Sequence, residues 1–149
     1  MIVKLLTKED FYNLIAENFP ISFKKFSDYI DDFKASTNWN ELFKIDYINN
    51  QSPVEYDIKF HDIPFALQKG VIENFFVLND IQYYPVKHPF SPEKWTFHTI
   101  DTIKGAIWSQ FTNSTHQDLF EYDTYEDAEI GAIQMAFQIL NDNIKVNLN

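Results

Sequence analysis

The feature that most constrains this chain is the breadth of the apolar stripe on its last helical segment. Over 125–142, Ala128, Ala132, Met135, Ala136 and Ile139 recur at helical spacing, and Ile130, Ile133, Phe137 and Leu140 widen the stripe. A helix on the rim of a globular protein needs only one apolar face. A stripe this wide has to be covered from more than one side, which places the segment inside a layered fold. Thr124, with Asp127 three residues later, supplies the helix start.

The preceding segments show what the layers are. Phe11, Leu14 and Ile15 predict a short helix over 8–18, opened by Thr7 with Asp10 and closed by Asn18 and Pro20. Ser22 is the expected cap of a second helix over 23–36, in which Phe23, Phe26, Ile30 and Phe33 share a face. Trp39, Leu42 and Phe43 predict a shorter turn over 39–47, and Asn49 to Pro53 reads as a linker. Val54, Tyr56, Ile58 and Phe60 alternate with polar residues, a strand pattern. Asp62 is the expected cap of a helix over 63–79 that carries Pro64 in its first turn. Gly70 in the middle of that helix costs about 1 kcal/mol relative to Ala unless close packing requires it. Strands are expected at 81–87, 95–102, 106–112 and 117–123.

Strands grouped between helices point to an α+β fold. The expectation is an antiparallel β-meander of three to four strands, with two long helices on one face in the order α-β-β-β-α. An N-terminal helical segment over 1–48 precedes that domain, which spans 54–149, the two forming one compact unit. Both sheet faces are partly apolar, so either the N-terminal helices or a partner should cover the second.

Composition removes several classes of chemistry. The chain has no Cys, which excludes disulfides, thiolate catalysis and Cys-ligated zinc. All 12 basic residues are Lys, so the planar fork that grips phosphate or guanine with two bonds is missing. Three scattered Gly (Gly70, Gly105, Gly131) form no phosphate loop. No apolar window is long enough to cross a membrane, and Met1–Leu6 is too short for a signal-peptide core, so the expected location is the cytoplasm. His61, His88, His98 and His116 form none of the usual metal-binding pairs, and no Ser lies in a nucleophile elbow. No catalytic residue, metal ligand or cofactor is assigned.

Charge is the informative feature. Between Lys104 and Lys145 there is no basic residue, and that interval contributes seven of the carboxylates behind a net charge of −10. Asp118, Glu121, Asp123, Glu126, Asp127 and Glu129 crowd into its middle. Glu126 and Asp127 suit the first turn of a helix, whose dipole favours negative charge. Glu121 and Asp123 would share a strand face about 6.8 Å apart. Together these carboxylates are expected to form a negative ribbon that docks into a basic groove of a protein or ribonucleoprotein; the competing reading is a solubilising surface. Direct nucleic-acid binding is not expected from such a surface.

Two resemblances add to this. The stretch Asp62-Ile63-Pro64-Phe65-Ala66-Leu67-Gln68-Lys69-Gly70-Val71, then Phe75-Phe76, with Thr124-Tyr125-Glu126-Asp127-Ala128 opening the closing helix, resembles uncharacterised proteins of Bacteroidota and their phages. The likeness covers 62–142 and implies a helix, a β-meander and a closing helix. The α-β-β-β-α order is also similar to the double-stranded-RNA-binding domain. That family grips phosphate with Lys at the start of its last helix, where this chain has Glu126, Asp127 and Glu129, and its Gly-Pro-x-His loop is replaced here by Phe90-Ser91-Pro92-Glu93-Lys94. The expected function is therefore a non-enzymatic binding protein, best read as a phage inhibitor of a CRISPR or restriction complex acting as a nucleic-acid mimic. The alternatives are an RNA-binding module of the double-stranded-RNA-binding type and a metal-dependent enzyme.

Overall fold

A computed structural model describes residues 8–37, 59–107 and 121–148. Helix α1 (Lys8–Asn18) buries Phe11, Tyr12 and Ile15 and is followed almost at once by α2 (Pro20–Thr37), which buries Ser22, Phe26 and Ile30 at four-residue spacing. Pro20 has no N–H to lose and a φ already suited to the first helical position, so α2 begins there. Ser22 is therefore not the cap that the sequence suggested. It lies inside the first turn, fully buried, with its hydroxyl directed at the carbonyl oxygens of Phe19 (3.3 Å) and Phe137 (2.9 Å). The cap comes from far along the chain: Asn141 Oδ1 accepts from the backbone N–H groups of Ile21 (3.0 Å) and Ser22 (3.1 Å).

A 3-10 turn (Phe60–Asp62) leads through Ile63 and Pro64 into α3 (Phe65–Leu78). Pro64 stands at the N-cap and no side chain caps the helix, so Asp62 does not do what its position suggested. The buried Gln68 organises this entry instead. Its Nε2 donates to the carbonyls of Ile63 (2.7 Å) and His61 (3.2 Å), and its Oε1 accepts from the Tyr12 hydroxyl at 2.6 Å. Burial drives the Tyr12 phenol well above its ordinary pKa. Asp80, in the left-handed region at φ 64°, turns the chain from α3 into the sheet.

The sheet consists of β1 (Ile81–Lys87), β2 (Trp95–Asp101) and the two-residue β3 (Ala106–Ile107), antiparallel in the order β1-β2-β3. β1 pairs with β2 from Ile81↔Asp101 to Lys87↔Trp95. Pro85 is tolerated because β1 lies at an edge among the described residues. Beside β2, Tyr122 forms an isolated bridge with Trp95, each N–H donating to the other's carbonyl at 2.8 Å. The expected strands 106–112 and 117–123 reach into 108–120, and the turn at 39–47 and most of the strand at 54–60 also lie outside the described residues. Phe60, assigned to that last strand, opens the 3-10 turn.

Helix α4 (Tyr125–Leu148) closes the fold and runs past the expected end at 142, since no Gly or Pro follows to stop it. Its width of apolar surface is explained by two neighbours. Towards the sheet, the Ala132 carbonyl accepts from Thr99 Oγ1 at 3.2 Å, and a Cβ on Gly131 would lie 2.3 Å from the Tyr122 hydroxyl oxygen and 3.2 Å from the Phe97 ring. Away from the sheet, Phe137 packs among Phe23, Phe26, Phe75 and Phe76, its ring centre 4.8 Å from that of Phe76. Phe76 in turn meets Tyr83, so α3 and α4 reach the same, odd-numbered face of the strands. Among the described residues, Tyr12 of α1 meets Gln68 of α3, Phe26 of α2 meets Phe75 of α3 and Phe137 of α4, and Ser22 of α2 meets Phe137, so α1 and α2 extend the helical side. One apolar cluster joins Phe11, Phe26, Ile72, Phe75, Phe76, Ile81, Ile133 and Phe137.

Candidate functional site

Of the carboxylates singled out by the sequence, Glu121, Asp123, Glu126, Asp127 and Glu129 lie among the described residues, and the fold sorts them into two groups. Tyr122 turns inward against Phe97 and Gly131, where burial pushes its phenol up to about 12 with the charge of Asp127 adding to the effect. Its neighbours Glu121 and Asp123 consequently face the β1–β2 loop. Asp123 pairs with Lys94, whose ammonium is held above its ordinary pKa by that contact. Glu121 Oε1 lies 3.7 Å from Nε2 of His88. Glu129, largely buried, pairs with Lys69 of α3 at 3.1 Å. These three do not form a bare strand ribbon: for Asp123 and Glu129 the lysines missing from the local sequence are supplied across space, and Glu121 faces His88. Asp118 lies outside the described residues.

Glu126 and Asp127 remain. Both are exposed in the first turn of α4, and no lysine pairs with either among the described residues. Thr124 Oγ1 accepts from the Asp127 N–H at 3.1 Å, so the expected cap is present and the carboxylates themselves are not consumed by it. Dipole stabilisation accounts for their tolerance here at about 0.3–1 kcal/mol each.

The same end carries aromatic side chains that the charge argument missed. Tyr125, 48% exposed, stands edge-on to Trp95 with ring centres 5.2 Å apart. The Lys87 ammonium lies 4.1 Å from the centre of the Trp95 ring, a cation–π contact. Phe90, 59% exposed, projects from the loop Pro89-Phe90-Ser91-Pro92. A large apolar residue bracketed by prolines was the available signal, since rigid loops can hold such a group in water without folding it away. Exposed aromatics beside charge are the usual anchors of protein interfaces.

His98 and His61 differ in environment, and His116 lies outside the described residues. His98 lies on the second sheet face against Tyr84, ring centres 5.4 Å apart, and burial lowers its pKa. His61 lies 3.4 Å from Asp62. Among the described residues no three His, Asp or Glu side chains are grouped to hold a metal ion, and no helix is long and apolar enough to cross a membrane. No family model, curated protein or solved structure matches the chain.

Proposed function

We propose that this chain is a non-enzymatic binding protein that docks the start of α4 and the neighbouring hairpin loop onto a basic surface of a protein or ribonucleoprotein. The observation that carries this is the coincidence of Glu126 and Asp127, unpaired among the described residues, with the exposed ring of Tyr125 beside them. Carboxylates steer a basic partner and fix its register, while aromatic rings supply desolvated contact area. Glu121, Asp123 and Glu129 contribute to the field, but Asp123 and Glu129 are partly neutralised by Lys94 and Lys69. Within this class, an inhibitor of a nucleic-acid-handling defence complex is the reading favoured by the acidity and by the resemblance to phage proteins.

The test compares capture of partners from host extract by the wild-type chain and by a Tyr125→Ala, Glu126→Gln, Asp127→Asn variant. A partner retained by the first and lost by the second, with affinity falling as salt rises, supports the proposal. Equal capture by both returns this end to ordinary surface. The two carboxylate changes should cost the fold less than about 1 kcal/mol each.

A further inference from the structure

The β1–β2 loop has a property that stands apart from the docking reading. His88 opens this loop and is only 4% exposed. Its Nδ1 accepts from the backbone N–H groups of both Phe90 and Ser91, each at 3.1 Å. Only an imidazole with no proton on Nδ1 can do this, so the neutral ring carries its proton on Nε2, the atom facing Glu121 at 3.7 Å. The backbone adds two further ties: His88 N–H donates to the Lys94 carbonyl at 3.0 Å and Lys94 N–H to the Ser91 carbonyl at 2.8 Å. The side chain of a single residue thus holds the two amides at the tip that presents Phe90.

A proton added to Nδ1 changes this arrangement completely. The nitrogen becomes a donor facing two donors, and both amide bonds are lost. The ring cannot turn to water without opening the loop, because it is buried. The charged groups around it are Glu121 across the Trp95–Tyr122 bridge, and Glu93 and Lys94 in its own loop, with Lys94 already engaged by Asp123. Glu121 contacts the ring and attracts an imidazolium. Protonation therefore exchanges two amide bonds within the loop for one ion pair outside it.

The geometry points to a proton-operated latch: neutral His88 fixes the loop and presents Phe90, and protonated His88 releases the Phe90 and Ser91 amides and moves onto Glu121. Among side chains, histidine is the usual carrier of a proton-operated switch.

The experiment follows the backbone amide signals and hydrogen exchange of Phe90 and Ser91 in the whole chain as pH falls from about 8 to about 5, with the imidazole nitrogen signals of His88 read alongside. Both amides should shift in step with the His88 ring, and their exchange, corrected for intrinsic pH dependence, should quicken by about tenfold. In His88→Asn, whose Oδ1 takes the place of Nδ1 as an acceptor that does not titrate, both should stay flat. In Glu121→Gln, which removes the attraction for the charged ring, the transition should move to lower pH. Amides unmoved while His88 titrates, a His88 that is still neutral at the acid end, or a transition surviving in His88→Asn would overturn the latch. Should His88→Asn not fold, the wild-type ring signals and the Glu121→Gln shift decide. No partner enters these measurements, so the latch and the docking surface succeed or fail separately.

Discussion

The two halves of α4 use polar side chains in opposite ways. In its first turn Glu126 and Asp127 point outward, and the inward positions Ala128, Gly131 and Ala132 are small enough for the helix to approach β2 and Tyr122 closely. In its second half Phe137, Asn141 and Asn143 serve as connectors. Asn141 caps α2, while Asn143 Nδ2 donates to Asp101 Oδ2 at 2.9 Å and its Oδ1 accepts from Lys104 Nζ at 2.7 Å. Asp101 completes this second network by accepting from the N–H groups of Ile103 (3.1 Å) and Lys104 (3.0 Å). Polarity at one end of the helix faces outward, and at the other it ties α4 to α2 and to the end of β2 and the turn after it.

This contrast breaks most sharply at Asn141. Replacing it with Ala leaves two backbone donors of α2 without an acceptor and should cost about 2–3 kcal/mol. A lower urea midpoint with an unchanged slope is the expected signature. An effect no larger than that of an ordinary surface substitution would mean that α2 stands without its distant cap.

At the opposite half, Gly131→Ala should cost about 2 kcal/mol, because Tyr122 must yield to a Cβ placed within van der Waals contact of its ring and hydroxyl. Thermal melts of this variant against wild type check it. Near-identical melting would show that the close approach to Tyr122 has room to relax.

The smallest effect is expected at Asp101, and it depends on pH. Burial alone would raise its carboxyl pKa, but the bonds from the Lys104 amide, the Asn143 side chain and the Ile103 amide, with the Lys104 charge, bring it below the ordinary carboxylate value. A lowered folded-state pKa means that the stabilisation is present above the unfolded value of about 3.9 and is lost as pH falls through the folded one. Asp101→Asn should therefore be less stable than wild type by about 1–2 kcal/mol at neutral pH, the gap closing below about pH 4. A gap that persists in acid would assign the loss to packing rather than charge.

Much of this architecture was legible because it is local. The stripe on α4, the span of β1 and the Thr124 cap follow from spacing within a few residues. The caps expected from Ser22 and Asp62 failed because prolines beside them set the helix starts, and the true cap of α2 is remote in sequence. The acidic surface was half legible for the same reason. A stretch without lysine in sequence is not one in space, since Lys69 and Lys94 arrive from α3 and the hairpin loop to meet Glu129 and Asp123. Phe90 and Tyr125 were passed over because a composition argument follows charge, and exposure of an aromatic ring is decided by the fold.

The cap that Asn141 gives α2 also orders events during synthesis. Its acceptor lies 120 residues beyond the Ile21 amide, so a ribosome adding about 5–20 residues per second reaches it roughly 6–24 s later. Through that interval the start of α2 can be satisfied only by water. The start of α2 is, in this respect, completed by a residue made long after it, and a chain stalled before Asn141 lacks the means to finish it.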